Sequence, residues 1–208
     1  MSIALTRQSV HVWSLRRRWT KRGMDIIAGL ILLLAALPLM LGIYLIGLVK
    51  FGTSPLFSQV RVGQFNRPLR IYKFRSLAGN AHFENMDSQV SLYGRWLRNS
   101  KLDELPQLVQ VVLGQMSLVG PRPDVFGFQD ELVGKEADIA LIKPGLTCAA
   151  SIKYRDEHLL IERSKNPVQF NKLLIYPDKV RLNLEYLEQQ SLTTDTKLLL
   201  KTIGWISR

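Results

Sequence analysis

Cysteine and histidine are scarce in this 208-residue chain, which contains one cysteine, Cys148, and three histidines. A single cysteine excludes an intramolecular disulfide framework and a cysteine-rich metal site. His11, His82 and His158 lack the spacing of metal ligands. Apolar residues make up 47% of the chain, so a folded protein is expected rather than a disordered one. The length predicts one compact domain, with or without an appendage.

Acidic residues are also few, with 17 Asp and Glu against 28 Lys and Arg and a net charge of +11. Such a surplus indicates an anionic partner, which can be nucleic acid, an anionic membrane or a phosphorylated substrate. Residues 1–25 carry six basic residues and one acid, and residues 50–75 carry six basic residues and no acid. Residues 76–208 carry 16 of each sign. The excess positive charge therefore flanks residues 26–49, which have no charge.

The uncharged run from Ile26 to Val49 is predicted to be a membrane segment. As a straight helix it measures about 36 Å, against about 30 Å for the hydrocarbon core of a bilayer. It is longer than the apolar core of a cleaved signal peptide, which has roughly 7–15 residues. Pro38, in the middle of the run, is expected to kink or break the helix. This pattern is compatible with two arrangements. In one, a bent helix spans the bilayer. In the other, two half-helices enter one leaflet and return, and both basic clusters then lie on one side of the membrane.

After residue 51, turn signals alternate with short strands and amphipathic helices, and this pattern predicts an α+β domain. Alternating residues bounded by turn signals predict a β-hairpin with strands Leu56–Val62 and Leu69–Arg75. Lys73 and Arg75 share one face of the second strand. Residues 78–91 are polar and predicted to be a loop. Leu105, Leu108, Val109 and Val112 are spaced as one face of a helix, which is predicted to run from near Asp103 to Leu113 with Gly114 as its stop. Apolar spacing also predicts helices from Val180 to Gln189 and from Thr194 to Trp205.

Three short segments carry groups suited to chemistry on a phosphate: Asp103-Glu104, Gly120-Pro121-Arg122-Pro123 and Tyr72-Lys73-Phe74-Arg75. Each also has a purely structural interpretation. Acids favour helix N-termini, a proline on each side fixes an arginine in a rigid surface turn, and basic side chains extend to a membrane edge. Together, however, the carboxylates and at least three cations suit a nucleophile or metal ligand acting on a phosphate.

A longer set of motifs has an order and spacing that can be compared with known families. It consists of Gln59–Gly63, Ile71–Leu77, Arg98, Leu102–Leu108, Gly114–Pro123 and Lys143–Thr147. These segments resemble the bacterial sugar transferase family from about Lys21 to the C-terminus. Members of that family are small monotopic phosphoglycosyl transferases that begin glycoconjugate and polysaccharide assembly on polyprenol phosphate.

The resemblance implies that the chain transfers a sugar-1-phosphate from a UDP-sugar to polyprenol (undecaprenyl) phosphate and releases UMP. Asp103 would be the nucleophile and would also bind Mg²⁺, the cofactor of the family. Glu104 would assist Asp103 or position the acceptor. The cations expected around the diphosphate are Arg122, Arg98, Lys73 and Arg75.

The family's membrane helix is re-entrant, so the resemblance also implies two half-helices that meet at Pro38. The expected organisation is a basic segment over residues 1–20, a re-entrant helix over 21–50 and a mainly helical catalytic domain over 51–208. Both termini and the active site would lie on the cytoplasmic face of the bacterial inner membrane. Anionic lipids are the expected partners of the basic clusters, and nucleic acid is not expected because residues 76–208 are neutral overall.

Two departures from the family pattern limit what is carried over. Leu37 precedes Pro38 where relatives often have serine, and Cys148-Ala149-Ala150-Ser151 stands where many have Gly-Trp-Ala-Gln. No sugar or nucleotide contact is therefore assigned to the second segment, and Cys148 is expected to be a small buried residue. A membrane-anchored binding or scaffold protein, whose acids only cap a helix, is the alternative function. The residues do not specify which sugar is transferred.

Overall fold

The computed structural model describes residues 15–77 and 91–206 as a mixture of helices and short strands. The elements are α1 (Leu15–Phe51), β1 (Leu56–Val62), β2 (Pro68–Phe74), α2 (Leu92–Asn99), α3 (Gln107–Leu113), β3 (Ser117–Val119), β4 (Gly145–Thr147), α4 (Ala149–Lys153), α5 (Glu157–Glu162), α6 (Pro167–Phe170), α7 (Tyr176–Gln189) and α8 (Leu192–Ile206). The predicted α+β class, with a long apolar N-terminal helix and a small β-hairpin, is confirmed. The predicted loop over residues 78–91 lies outside the described residues except for its last position.

Helix α1 is one continuous helix of 37 residues that contains Pro38. It is about 55 Å long, and its apolar side chains face outward, with Ile31 and Leu34 61% and 57% exposed. Among the described residues it is the one helix long and apolar enough to cross a membrane, which indicates a membrane location. The predicted break at Pro38 is not confirmed, and re-entry stays a prediction. Residues 1–14, which hold part of the predicted basic segment, lie outside the described part of the chain.

Buried polar contacts connect the first turns of α1 to the rest of the chain. The carboxylate of Asp25 accepts hydrogen bonds from Ser117 Oγ (2.9 Å) and from the backbone N–H of Leu118 (3.1 Å) in β3. Lys21 Nζ lies 2.8 Å from Asp195 Oδ2 in α8. Both aspartates are buried, and a buried charge is tolerated only when it is paired and hydrogen-bonded. We call this group of five residues the α1 base cluster.

Arg22 connects α1 to the C-terminal end of α3. Its guanidinium donates hydrogen bonds to the carbonyls of Val111 (2.7 Å) and Val112 (2.6 Å), where the helix dipole is negative. Gly114 ends α3 as predicted, with a φ of +85°, which favours glycine. A Cβ on Gly114 would also lie 2.9 Å from Arg22 Nη2. Glycine is therefore required at this position by its backbone conformation and by the space that Arg22 occupies.

The hairpin forms as predicted, and α3 differs from its prediction. Strand β1 has the predicted bounds, and β2 begins and ends one residue earlier than predicted. Helix α3 begins at Gln107 rather than near Asp103, and its predicted apolar face is partly wrong because Val109 is 41% exposed and Gln110 is 2% exposed. Gln110 is buried because its amide pairs with the backbone of β2, donating to the carbonyl of Arg70 (2.8 Å) and accepting from the N–H of Tyr72 (3.3 Å).

Two motif segments pair with each other as the parallel strands β3 and β4. Within the Lys143–Thr147 motif, Gly145–Thr147 forms β4, a strand that was not predicted from the sequence. Beyond β3, Gly120 donates to the carbonyl of Thr147 (3.0 Å) and Gly145 donates to the carbonyl of Pro121 (2.8 Å). A Cβ on Gly145 would lie 2.1 Å from the backbone nitrogen of Gly120. Glycine permits this close approach, which fixes the backbone next to Arg122.

The C-terminal part of the chain consists of short helices followed by α7 and α8, which contain the two helices predicted there. The hydroxyl oxygen of Tyr186 in α7 lies within hydrogen-bond distance of Asp195 Oδ1 (2.7 Å) and of the carbonyl oxygen of Val119 (3.1 Å). Cys148 is buried, as predicted, and its Sγ accepts a hydrogen bond from the N–H of Ser151 (3.2 Å) at the start of α4. These contacts pack α4, α7 and α8 around β3 and β4.

Replacement of Gly94 in α2 by alanine is expected to lower the free energy of unfolding by about 2–3 kcal/mol. A Cβ at this position would lie 1.9 Å from the carbonyl oxygen of Ser76, so the backbone of one segment must move. Chemical denaturation in detergent measures the effect. Gly23→Ala is the matched control, because nothing lies within 4 Å of a Cβ there and alanine favours the helix. Equal stability of Gly94→Ala and wild type would contradict this packing.

Candidate active site

Asp103 and Glu104 lie in a tight turn that precedes α3. Lys101 has a φ of +57°, a left-handed conformation that is uncommon for a residue other than glycine. A short 3₁₀ turn over Leu102–Glu104 follows and buries both carboxylates, with Asp103 8% and Glu104 9% exposed. Pro106, and neither of the two acids, occupies the N-cap position of α3. The interpretation of the two acids as helix caps therefore gains no support.

Glu104 is paired with two cations. Its Oε1 lies 2.8 Å from Lys73 Nζ and also contacts Arg122 Nη2, and its Oε2 accepts from Arg122 Nη1 at 3.2 Å. Burial alone would raise the pKa of Glu104, but the charges and hydrogen bonds of Arg122 and Lys73 outweigh it and hold the pKa below its ordinary value. Glu104 is therefore ionised at neutral pH and holds Lys73 and Arg122 on one side of the turn.

Asp103 has the opposite environment. Burial, and then the charge of Glu104, raises the pKa of Asp103 to about 6, although the nearby cations act against this shift. Its Oδ1 is buried and has no hydrogen-bond partner among the described residues. A buried, unpaired carboxylate oxygen costs free energy unless a ligand or an ion satisfies it. Asp103 is therefore an ionisable carboxyl group without a protein partner at Oδ1 among the described residues, and its roles as nucleophile and Mg²⁺ ligand stay predictions.

The donor groups at this turn fit Mg²⁺ when a substrate supplies further ligands. Within the described residues, no group of three or more His, Cys, Asp or Glu side chains is arranged to hold a metal. Glu104 already pairs with two cations, whereas Asp103 Oδ1 has no partner there. Mg²⁺ is commonly held by one or two carboxylates together with substrate phosphates and water. Asp103 fits that pattern.

The structure places the predicted cations in two groups. Lys73 and Arg122 contact Glu104, whereas Arg98 donates to Ser76 Oγ (2.8 Å) and Arg75 donates to the carbonyl of Ser54 (3.2 Å). Arg75 lies one residue beyond the end of β2, and its backbone N–H donates a hydrogen bond to the carbonyl of Pro55 (2.7 Å). The roles of Arg98 and Arg75 in phosphate binding stay predictions.

Two further cations belong to the site and were not assigned from the sequence. Burial lowers the pKa of Lys101, and the charges of Glu104 and Asp103 act in the opposite direction. Burial and then the charge of Arg122 lower the pKa of Arg61, which also interacts with Asp124. Arg61 lies within the Gln59–Gly63 motif, and Lys101 lies just before the Leu102–Leu108 motif. These positions were the sequence signals that could have identified the two residues. With Lys73 and Arg122, these residues give the site the positive charge that a diphosphate requires.

A cavity of about 790 Å³ adjoins the paired charges. Polar residues line one part of it, including Lys101, Glu104 and Arg122, whose side chain is 45% exposed. Apolar residues line another part, namely Leu32, Ala35 and Ala36 of α1 with Leu199 and Ile203 of α8. Asp103 adjoins the cavity through its neighbour Glu104 and does not line it. A ligand with a charged head and an apolar chain matches this combination of surfaces.

Comparison with known proteins shows the family to which this chain belongs. The family model described as "Bacterial sugar transferase" matches residues 16–208. The chain therefore belongs to the bacterial sugar transferase family, as its motifs predicted. Relatives in this family are named as undecaprenyl-phosphate sugar phosphate transferases, which agrees with the prediction of an enzyme of the phosphoglycosyl transferase class.

Individual relatives agree with this membership. A UDP-N-acetylgalactosamine-undecaprenyl-phosphate N-acetylgalactosaminephosphotransferase of Aeromonas hydrophila is 42% identical over 117 residues, which is 53% of this chain and 28% of the relative. A UDP-glucose:undecaprenyl-phosphate glucose-1-phosphate transferase of Escherichia coli is 30% identical over 203 residues, covering 92% of this chain and 41% of the relative. A protein of Bacillus subtilis named "Uncharacterized sugar transferase EpsL" is 31% identical over 187 residues, which is 88% of this chain and 85% of the relative. The chain thus spans less than half the length of the first two.

Proposed function

We propose that this chain transfers a sugar-1-phosphate from a UDP-sugar to undecaprenyl phosphate and thereby starts the synthesis of a polysaccharide or glycoconjugate. One observation carries this proposal. Asp103 Oδ1 is buried without a partner among the described residues, and the next residue, Glu104, is paired with Lys73 and Arg122. Relatives named for sugar-1-phosphate transfer from UDP-glucose, or from UDP-N-acetylgalactosamine, support the choice of donor and acceptor.

The transfer takes place in two displacements at one phosphorus atom. A carboxylate oxygen of Asp103 attacks the β-phosphorus of the UDP-sugar, the bond to the bridging oxygen breaks, and UMP leaves with that electron pair. A phosphate oxygen of the polyprenol phosphate then attacks the same phosphorus, and the bond to Asp103 breaks to restore the carboxylate. Two steps allow the soluble donor and the lipid acceptor to react without being held together at one time.

The cations stabilise the charge that develops in both steps. Arg122 uses two guanidinium N–H groups on Glu104, and an arginine has five, so three remain for phosphate oxygens. Lys73 and Lys101 add positive charge near Asp103. Bound Mg²⁺ would neutralise part of the diphosphate charge. Glu104 is in this scheme a positioning residue, because it keeps Arg122 and Lys73 in place and is itself paired.

The apolar part of the cavity is the proposed entry for the acceptor. Helix α1 exposes apolar side chains suited to a bilayer and also contributes Leu32, Ala35 and Ala36 to the cavity wall. A polyprenol phosphate in the bilayer would therefore reach the charged part of the cavity without leaving an apolar surface. We place the catalytic part on the cytoplasmic face and α1 in a re-entrant topology, because both basic clusters then lie on one side, facing anionic lipids.

The covalent step can be tested by mass spectrometry of the full chain in detergent. UDP-glucose, UDP-galactose and their N-acetylated analogues are each supplied with Mg²⁺ and no acceptor. The expected result is about one UMP released per chain and a protein mass raised by one sugar phosphate, located on Asp103 by peptide mapping. Turnover with an acceptor but no adduct on Asp103, even after rapid quenching, would contradict the covalent mechanism.

Replacing Ala35 with tryptophan is expected to raise the KM for polyprenol phosphate by about tenfold and to leave the KM for the UDP-sugar unchanged. The large ring would fill part of the cavity beside the apolar wall to which Ala35 contributes. Initial rates at varied concentrations of each substrate measure the two constants. Leu34→Trp is the control, because Leu34 is exposed on α1 and does not line the cavity. An equal effect of the two variants would contradict acceptor entry at this wall.

A further inference from the structure

One face of α7 lines the cavity and has no part in the catalytic scheme above. Tyr176, Lys179, Val180 and Asn183 all contribute to the cavity wall. Their spacing of i, i+3, i+4 and i+7 places them on the same side of the helix. This face presents a phenol, an ammonium and a carboxamide to the cavity, so α7 contributes hydrogen-bonding groups rather than an apolar wall.

The hydroxyl of Tyr176 is buried and has no hydrogen-bond partner among the described residues. Its ring packs edge-on against Phe128 with centroids 5.2 Å apart, which holds the side chain in one orientation. A buried hydroxyl without a partner costs free energy comparable to a lost hydrogen bond. Because Tyr176 lines the cavity, a ligand in the cavity is the natural partner for this hydroxyl.

Asp124 adds a carboxylate to the same cavity. It follows Pro123 in the Arg122 segment, and its carbonyl accepts a hydrogen bond from the N–H of Val62 (2.8 Å), which fixes the backbone. Burial raises the pKa of its carboxyl group, and the charges of Lys179 and Arg61 act against this shift. Its charge also acts on the phenol of Tyr176, so the two groups lie near each other.

We propose that Asp124, Tyr176 and Asn183 form a subsite for the vicinal hydroxyl groups of the donor. The proposal rests on the proposed function, since it assumes that the diphosphate lies at Arg122. A carboxylate accepts hydrogen bonds from two neighbouring hydroxyls, a phenol donates or accepts one, and a carboxamide does both. The hexose and the ribose of a UDP-sugar each carry vicinal hydroxyls, and each is joined directly to the diphosphate.

Equilibrium binding tests this subsite separately from catalysis. Every chain used for calorimetry, in detergent with Mg²⁺, also carries Asp103→Asn so that no adduct forms, and the full chain with this change alone replaces wild type as the binding reference. The measurement gives Kd for UMP and for the UDP-sugar that binds most tightly among UDP-glucose, UDP-galactose and their N-acetylated analogues. Asp124→Asn and Tyr176→Phe are expected to raise Kd for the UDP-sugar by about tenfold each. Tyr176→Phe keeps the ring that packs on Phe128, and a thermal unfolding curve confirms that each variant folds.

Glu188→Gln is the matched control, because Glu188 lies on α7 with an exposed side chain, pairs with Lys135 and does not line the cavity. Its Kd values are expected to equal those of the Asp103→Asn reference. If UMP binding weakens together with UDP-sugar binding, the subsite holds the ribose. If UMP binding is unchanged, it holds the hexose.

Two results separate this proposal from the proposed function. If folded Asp124→Asn and Tyr176→Phe bind both ligands as the Asp103→Asn reference does, the subsite is wrong, whatever the turnover. If these variants bind the UDP-sugar more weakly but wild type releases no UMP from any of the donors, the subsite stands and the transferase function fails. Absence of UDP-sugar and UMP binding to the Asp103→Asn reference would overturn both.

Discussion

Asp103→Asn is expected to lose at least about 10³-fold in turnover with any UDP-sugar and polyprenol phosphate. An amide is a poor nucleophile, and it lacks the charge that a carboxylate offers to Mg²⁺. UMP release in the presence of Mg²⁺ and the acceptor measures the effect. Full retained turnover would contradict the assignment of Asp103 as the nucleophile and would favour the interpretation of the chain as a membrane-anchored binding protein.

The same variant is expected to fold at least as stably as wild type. Since the pKa of Asp103 is raised to about 6 from an ordinary value of about 3.9, its ionised form is less favourable in the folded chain than in the unfolded one. The resulting destabilisation of wild type develops as the pH rises through this interval and is fully present above it. A neutral amide removes the effect. A lower melting temperature at pH 8 would show that the carboxylate is structurally required.

Arg122→Met is expected to lower kcat/KM by about 10²-fold, and Arg122→Lys by about tenfold. Methionine removes the charge near the diphosphate and leaves Glu104 with Lys73 as its contacting cation. Lysine restores the charge but cannot donate through a planar guanidinium. Steady-state rates at saturating acceptor and varied UDP-sugar measure kcat/KM for each variant. Thermal unfolding separates a loss of stability from a loss of catalysis.

Arg181→Met is the matched control for Arg122. Arg181 lies on α7 with an exposed side chain, and it pairs with Asp178 and Glu185 outside the cavity. Its loss is expected to leave kcat/KM unchanged. If Arg122→Met and Arg181→Met had equal effects, the contact between Arg122 and Glu104 would have no particular role in the reaction.

Short-range patterns allowed much of the fold to be predicted from the sequence. Alternating residues and the turn at Gly63 defined the hairpin, and the apolar run with its flanking charges identified α1. Gly114 was identified as the end of α3 from its residue type alone. Each of these features depends on interactions between residues that are close in the chain, and so it leaves a periodic or compositional signal.

Features that depend on distant contacts were missed. Strands β3 and β4 have three residues each and pair across a long connection, so neither carries a periodic signal of its own. Gln110 is buried because β2 offers its backbone as a partner, and polarity alone would place this residue outside. The motifs contain Glu104, Lys73 and Arg122, which the structure brings together. Their order did not show that these three residues pair or that α7 lines the cavity.

The contacts of the α1 base cluster determine whether α1 can be replaced by another membrane helix. If an unrelated anchor replaced α1, the buried Asp195 would lose its contact with Lys21. The buried Ser117 and Leu118 would lose their hydrogen bonds to Asp25. Leaving one buried charge unpaired typically costs several kcal/mol, a large part of the stability of a small protein. The membrane segment and the stability of the rest of the chain are therefore coupled in this architecture, and a stably folded chimera is expected to need the native Lys21 and Asp25.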